Sequence, residues 1–346
     1  MTDDTALTPA PAPYLGHPHL AGDLVTFVAD GDVWLAPLAD ATGTTAVARR
    51  VTTGAASAAH PRLSPDARRV AWTADHDLHT AVVAGPDLAG SEPFRRLTHW
   101  GDADCAVRGW LSPTEVLAVR SSPGHGKWRT RAWAVPLDRP ARCLPYGPAD
   151  EVAHGPDGAV LLGTPVFRDP ACWKRYGGGM GGRIWYAPDG IEFTRILADV
   201  GGHLVNPMWV DGRIAFLSDH EGTGALYSTA RDGSGLRRHT PTTGHYARHA
   251  TTDGRRVVYA AGGDLWLLPS LDAAPVRLRI ALGGLRAGRL PFQVTGEQAL
   301  GDFALDAAGD TLAVEVRGTV HLLSAASGPG RAACPSPPPA SPCGPR

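Results

Sequence analysis

Lysine is almost missing from this chain of 346 residues. It occurs only at Lys127 and Lys174, so nearly all of the 33 Lys and Arg residues are arginine. That skew is a mark of coding bias. Asp and Glu number 34, and the formal net charge is −1. No broad basic field is available for nucleic acid or an anionic membrane, and neither is expected as a partner. Cysteine is scarce too. Cys105, Cys143, Cys172, Cys334 and Cys343 are odd in number and form no C-x-x-C pair. This argues against a disulfide framework and excludes a zinc ribbon. No run of about 18 apolar residues occurs, so no membrane-spanning helix is expected. The opening MTDDTALTPAPAPYLG is acidic and rich in Pro and Ala. It has no basic or apolar region of a secretory signal, and a cytoplasmic location is expected. A long helical period is lacking as well.

What the sequence does contain is one phrase written several times. His60–Asp75 reads HPRLSPDARRVAWTAD, Arg248–Ser270 reads RHATTDGRRVVYAAGGDLWLLPS, and Phe303–Ser324 reads FALDAAGDTLAVEVRGTVHLLS. Each copy joins a turn, a short apolar strand, a second turn and a second strand. Recurrence at roughly 40–50 residues marks a repeat architecture. Strands of four to seven residues alternate apolar and polar positions, as in Ile214/Phe216 and Val257/Tyr259. The Asp-Gly, Gly-Asp and Pro-Asp turns suit hairpins. The fold class is therefore all-β. A six-bladed β-propeller of four-stranded antiparallel blades is predicted, because radial packing hides all but short strand edges.

The predicted organisation is a loose arm at 1–14, a six-bladed propeller at 15–285 and a linker at 286–300. A partial blade of a second propeller, its opening strands only, follows at 301–324. The last segment, 325–346, is Pro-rich, low in complexity and expected to be disordered. The sixth unit extends to Leu282. The fourth is interrupted by FRDPACWKRYGGGMGG (167–182). Glycine at this density requires a loop.

Several strings carry possible chemistry. No G-x-S-x-G elbow is present, and Asp232-Gly233-Ser234-Gly235 reads as a turn. No catalytic residue is assigned, and no cofactor is expected. Asp75, His76, Asp77 and His79 place four possible metal ligands in five residues, and His239, His245 and His249 form a second group. The first lies in the loop between strands, where Asp and His cap turns, and no metal site is assigned to either. Trp173, Lys174, Arg175 and Tyr176 in the insertion combine aromatic and cationic side chains. No strand-then-helix context supports phosphate binding there, and the makeup points to a loop contacting another domain or subunit. Trp34, Trp72, Trp110, Trp133, Trp185, Trp209 and Trp266 fall at strand positions and are expected to pack between blades.

The turn–strand–turn–strand phrasing resembles TolB-type propeller repeats. A closer resemblance rests on YLGHPHLAGDLVTFVADGDVWLAPL (14–38), FRRLTHWG (94–101), RDPACWKRYGGG (168–179), PMWVDGRIAFLSDHEGTGALYS (207–228), LRRHTPTTGHYARHATTDGRRVVYAAGGDLWLL (236–268) and AVEVRGTVHLL (313–323). In this order they resemble the amino-terminal propeller of the tricorn proteases, over about residues 15–324. The resemblance implies a non-catalytic propeller of a serine protease that degrades oligopeptides, with the propeller as a substrate or product channel or filter. The family's nucleophile and its histidine lie in later domains, so none is carried over and the chain alone is expected to be inactive. The Pro/Cys-rich end does not resemble the family and is expected to be a frameshifted or misannotated end. Tricorn proteases hold a substrate's terminal carboxylate with basic residues of this propeller, and Arg129 and Arg131 look like the matching positions. The family assembles into hexamers, which implies possible self-association. The alternative is a stand-alone TolB-like propeller serving as a peptide- or protein-binding scaffold.

Overall fold

The two-residue turns set the hairpins. Ala29 pairs with Asp32 across Asp30-Gly31, Ala74 with Asp77 across Asp75-His76, and Val210 with Arg213 across Asp211-Gly212. Both residues of each turn have positive φ. That backbone matches the right-handed strand twist, and Asp, Gly and His tolerate it better than most residues. A computed structural model describes residues 12–52, 58–83, 94–122, 126–241, 244–284, 300–316, 319–324 and 331–332. The chain divides into two compact units, one spanning Pro13–Gly288 and the other combining Met1–Ala12 with Arg289–Arg346.

The larger unit is a six-bladed propeller. Its blades begin with the inner strands Gly16–Ala21, Ala59–Leu63, Ala106–Ser112, Glu151–His154, Leu204–Val210 and Arg248–Thr252. Each inner strand opens a sheet whose other three sequential strands are antiparallel. An apolar cluster fills every gap between neighbouring blades. Between blades 1 and 2 it holds Val33, Leu35, Leu63 and Trp72. Between blades 4 and 5 it holds Leu161, Ile184, Phe216 and Tyr227. The sixth cluster joins Val258, Leu265 and Leu267 of blade 6 to Phe27 and Trp34 of blade 1, so the ring is closed. The outermost strands are short, and three of them are Arg95–Arg96, Arg142–Cys143 and Arg237–Arg238. Exposed arginine at a strand edge discourages pairing with another chain.

Repeat spacing alone carries blade 6 through Leu282. Instead, Ile280–Leu282 runs parallel to Ala46–Ala48 on the outer edge of blade 1 and makes that sheet five-stranded. Ala46 N donates to the Arg279 carbonyl at 2.9 Å, and Gly283 N to the Ala48 carbonyl at 2.8 Å. At the other end, Tyr14 of the expected arm accepts from Arg248 Nη1 at 3.0 Å. A six-residue helix, Leu38–Gly43, sits between the third and fourth strands of blade 1.

The smaller unit contains one four-stranded sheet, Leu300–Leu305, Thr311–Val316, Thr319–Ser324 and Arg331–Ala332. The last two residues pair with Leu322 and His321, so part of the expected disordered tail belongs to this sheet. Residues 1–11, most of the linker (286–299), 325–330 and 333–346 lie outside the described residues.

Candidate functional site

A short motif recurs on the inner strands. His17-Pro18-His19, His60-Pro61-Arg62, Asn206-Pro207-Met208 and His249-Ala250-Thr251 occupy matching places in blades 1, 2, 5 and 6. The pairing register shifts at each of them. The residue inside each shift, His17, His60, Asn206 or His249, has φ between 49° and 54°. A bulge of this kind bends the strand and re-aims a side chain. Here it puts all four on the wall of an axial cavity of about 350 Å³. Sequence reasoning missed these residues as a set; the His-Pro and Asn-Pro pairs are a repeated signal in the chain, but they suggest no chemistry until the blades are arranged in a ring.

Polar contacts pass from blade to blade around the axis. Leu63 N donates to His19 Nδ1 at 3.1 Å, joining blades 1 and 2. Trp110 Nε1 donates to the Arg62 carbonyl at 2.9 Å, and Arg62 Nε to the Arg108 carbonyl at 3.4 Å. Arg108 Nη2 meets Asp150 Oδ1 at 2.9 Å, reaching blade 4. Asn206 N and Nδ2 donate to the two Glu151 oxygens at 2.7 and 2.6 Å. Ala250 N donates to Asn206 Oδ1 at 3.1 Å, and Thr251 Oγ1 to the Pro18 carbonyl at 2.9 Å. The circle is complete.

A second axial cavity, about 620 Å³, has Leu20, Leu63, Trp110, Met208 and Trp209 among its walls. Arg62, Arg108, Glu151 and Asn206 line both cavities and form a waist between them. On the narrower side His17 stacks on His249 at 3.8 Å between ring centroids and meets His60 edge-on at 4.7 Å. Burial, then neighbouring His249 and Arg62, holds His17 well below the usual histidine range. Burial, then His17 and Arg108, does the same to His60. Both rings are therefore neutral near pH 7. Burial also raises the Glu151 carboxyl. It lowers the Arg62 guanidinium to about 9, with Arg108 adding to the effect.

The insertion in blade 4 forms part of the narrower mouth. It joins the strands Val160–Gly163 and Ile184–Ala187. Asp169 caps the single 3-10 turn Pro170–Cys172 by accepting from Ala171 N at 2.9 Å. Its other oxygen accepts from Arg248 Nε at 2.9 Å and faces His249 Nε2 at 3.3 Å. Burial alone would raise this carboxyl, but the hydrogen bonds from His249 and Arg248 outweigh it and hold the group well below the usual range. Further along, the Trp173 and Tyr176 rings lie 4.1 Å apart between centroids, and the Trp173 carbonyl contacts His203 Nε2 at 3.0 Å. Arg175 N donates to Asp219 Oδ2 at 2.5 Å. Gly182 ends the insertion because a Cβ there would sit 2.6 Å from the Leu204 carbonyl oxygen. Of the four residues expected at an interface, the two aromatics are half-buried against their own chain, and Lys174 and Arg175 are exposed.

The other sequence-derived candidates lie elsewhere. Arg129 and Arg131 alternate along the strand Gly126–Pro136 with exposed side chains, and Arg131 Nη1 donates to the Tyr146 carbonyl at 3.3 Å. Neither lines the axial cavities. The Lys127 and Trp128 side chains lie outside the described residues. Asp77 is buried and accepts from Thr98 Oγ1 at 2.6 Å and Trp100 N at 2.5 Å. His79 uses Nε2 on the Ala74 carbonyl at 3.2 Å. His239 contacts Ser228 Oγ at 2.8 Å and the Leu271 carbonyl at 2.7 Å, and so is committed apart from His249. Among the described residues no group of three His, Cys, Asp or Glu side chains converges as a metal site would. Ser228–His239 and Ser218–His220 are within hydrogen-bond distance. Both serines are buried, so neither presents a nucleophile to a peptide. Of the strand tryptophans, Trp34 and Trp72 are fully buried, Trp110 and Trp209 bridge blades, and Trp185 is exposed at the surface.

Comparison with known proteins agrees with this geometry. The family model described as the tricorn protease N-terminal beta propeller domain matches residues 12–274. Tricorn protease homolog 1 of Streptomyces coelicolor is 48% identical over 334 residues, which cover 95% of this chain and 30% of the relative. The tricorn protease homolog of Saccharolobus solfataricus is 30% identical over 318 residues, 91% of this chain and 29% of the relative. The crystal structure of the tricorn protease superposes with a TM-score of 0.71 at 25% identity, covering 91% of this chain and 30% of that one. The chain thus spans less than a third of the length of these proteins. It belongs to the tricorn protease family and corresponds to the family's amino-terminal β-propeller.

Proposed function

We propose that this propeller is the non-catalytic, peptide-handling portion of a tricorn-type serine protease, with its axial channel serving as a passage or filter for oligopeptides. The observation that carries the reading is the channel itself. Two cavities of about 620 and 350 Å³ meet at a waist lined by Arg62, Arg108, Glu151 and Asn206. Their walls mix apolar side chains with many polar and charged ones, and a concave site where polar groups converge can fix a ligand's orientation. A serine nucleophile would be supplied by other parts of the protease, because the described serine–histidine pairs are buried. The three described cysteines are free, which suits the reducing cytoplasm as the place of action. Oligopeptides are the proposed ligands, and association with further copies or other protease parts is the proposed context. Arg129 and Arg131 remain proposed contacts for peptide outside the channel, and Lys174 and Arg175 for a neighbouring domain or subunit.

The test is fluorescence anisotropy of fluorescein-labelled tri- and tetrapeptides titrated with the purified chain. Saturable binding that weakens when Trp209→Ala and Met208→Ala alter the wider cavity supports a channel that takes peptide. Absence of saturable binding, or binding indifferent to both substitutions, overturns it.

A further inference from the structure

We propose that a notch in the channel wall at Gly109, between blades 3 and 4, is a pocket of the wider cavity that takes one apolar side chain of a bound peptide, of about leucine size. This rests on the peptide-passage reading and adds to it a residue that selects the ligand.

One register position of the inner strands carries a side chain from a blade to the next. His19, Arg62, Met208 and Thr251 hold it in blades 1, 2, 5 and 6, opposite Thr26, Ala71, Ala215 and Val258. His19 Nδ1 accepts from Leu63 N of blade 2. Arg62 Nε donates to the Arg108 carbonyl of blade 3, and Thr251 Oγ1 to the Pro18 carbonyl of blade 1. Met208 belongs to the apolar cluster between blades 5 and 6. In blade 3 the position is Gly109, opposite Leu117, and no side chain extends from it toward blade 4.

The missing side chain leaves a space. The inner strands of every other neighbouring pair pack against each other, but Ala106–Ser112 and Glu151–His154 barely meet. The wider cavity enters there. Its other described wall residues lie on inner strands or just beyond them, whereas Leu117 comes from the second strand of blade 3. A Cβ added at Gly109 would meet nothing within 4 Å. Val152 of blade 4 also lines the cavity, and it shares one apolar cluster with Leu117, Leu144 and Leu162.

Polar groups occur only toward the two ends of the notch, and they are engaged with each other. On the waist side Arg108 Nη2 is paired with Asp150 Oδ1 at 2.9 Å. Toward the wide mouth the Tyr146 hydroxyl and His154 Nε2 lie 2.8 Å apart. An apolar recess offers water few hydrogen bonds, so a hydrocarbon side chain displaces it favourably. The space corresponds to one absent side chain such as Met208 supplies in blade 5, and leucine is close to methionine in volume.

The experiment compares two neutral fluorescein-labelled peptides on the 346-residue chain, trialanine amide and Ala-Leu-Ala amide. For the wild type, the leucine peptide is expected to bind about tenfold tighter, the size of partly burying the added carbons. Gly109→Leu fills the notch from within. It should erase that difference and leave the affinity for trialanine amide unchanged. Leu117→Ala deepens the notch and should turn the preference from leucine to phenylalanine at the same peptide position. Equal affinities for the two peptides in the wild type, or a leucine preference that survives Gly109→Leu, overturn the pocket while leaving the passage reading intact. If neither peptide binds, the passage reading itself fails. Methyl NMR of the leucine- and valine-labelled chain with 3-methylbutanamide, which carries the isobutyl group of leucine, then decides the pocket separately. Saturable shifts at the Leu117 and Val152 methyls that Gly109→Leu removes keep the pocket, and no shift overturns it. Circular dichroism melting of each variant shows that the fold is retained.

Discussion

Asn206 clasps Glu151 with two donors at once, its backbone N–H at 2.7 Å and its side-chain amide at 2.6 Å. The same side chain accepts from Ala250 N through Oδ1. One residue thus ties blade 5 to blade 4 and to blade 6. It does so with a φ of 51°, a left-handed conformation that asparagine adopts more readily than most residues. The bulge at Asn206 and the inter-blade contacts are therefore one structural device.

Replacing Asn206 with Ala removes two side-chain bonds, one of them to a carboxyl, and leaves a residue poorly suited to positive φ. A loss of about 2–4 kcal/mol in urea denaturation is expected. Asn206→Gly should lose about 1 kcal/mol less, because glycine accepts the backbone. Equal losses for the two would show that the backbone conformation contributes nothing.

Gly155 follows the inner strand of blade 4, and an added Cβ would meet the Trp209 indole at 2.4 Å. Trp209 cannot retreat freely, because its Nε1 donates to the Ala153 carbonyl at 3.3 Å. Gly155→Ala should destabilise by about 1–3 kcal/mol through overpacking between blades 4 and 5. Gly147→Ala, where a Cβ meets nothing within 4 Å, is the control and should change little. Thermal melts that coincide for the two would contradict the close approach.

His17, His19 and His60 all have their titration lowered well below 6.5, with burial as the main cause. The unfolded chain therefore binds protons that the folded state refuses. Their contribution to stability is complete above about 6.5 and is lost as pH falls from there toward the folded values. Glu151, raised by burial, acts in the opposite sense and gains as it protonates. Chemical denaturation between pH 8 and 5 should show stability falling below pH 6.5. A combined His17→Gln/His60→Gln variant should have a flatter profile, and Glu151→Gln a steeper one at the acid end. A wild-type profile that is flat across this range would refute the linkage.

Asp169 anchors the start of the insertion to Arg248 and His249. Asp169→Asn keeps the size but removes the charge, so the insertion should loosen. Cleavage by trypsin after the exposed Lys174 and Arg175 should then accelerate several-fold under native conditions, which mass spectrometry of the fragments reads directly. Unchanged cleavage would mean that Trp173, Tyr176 and Asp219 hold the insertion without Asp169.

The blades were legible because their signals are local. Asp30-Gly31 and Asp211-Gly212 announce hairpins, and alternation at Ile214/Phe216 announces strands. The parallel pairing of Ile280–Leu282 with Ala46–Ala48 was not, since strands separated by more than 230 residues leave no local mark. The waist was hidden for the same reason. Arg62, Arg108, Glu151 and Asn206 come from four blades, and none stands out in its own stretch of sequence. Trp185 fits the strand pattern as well as Trp34, but only the assembled ring shows that it faces outward.

The most direct measurement is photo-crosslinking of a short peptide carrying benzoylphenylalanine, followed by mass-spectrometric mapping of the adducts. The expected adducts fall on channel residues such as Leu20, Trp110, Met208 and Trp209 and disappear with excess unlabelled peptide. Adducts confined to outer strands such as Arg95–Arg96 or Arg237–Arg238, or adducts indifferent to competitor, would contradict an axial channel that takes peptides.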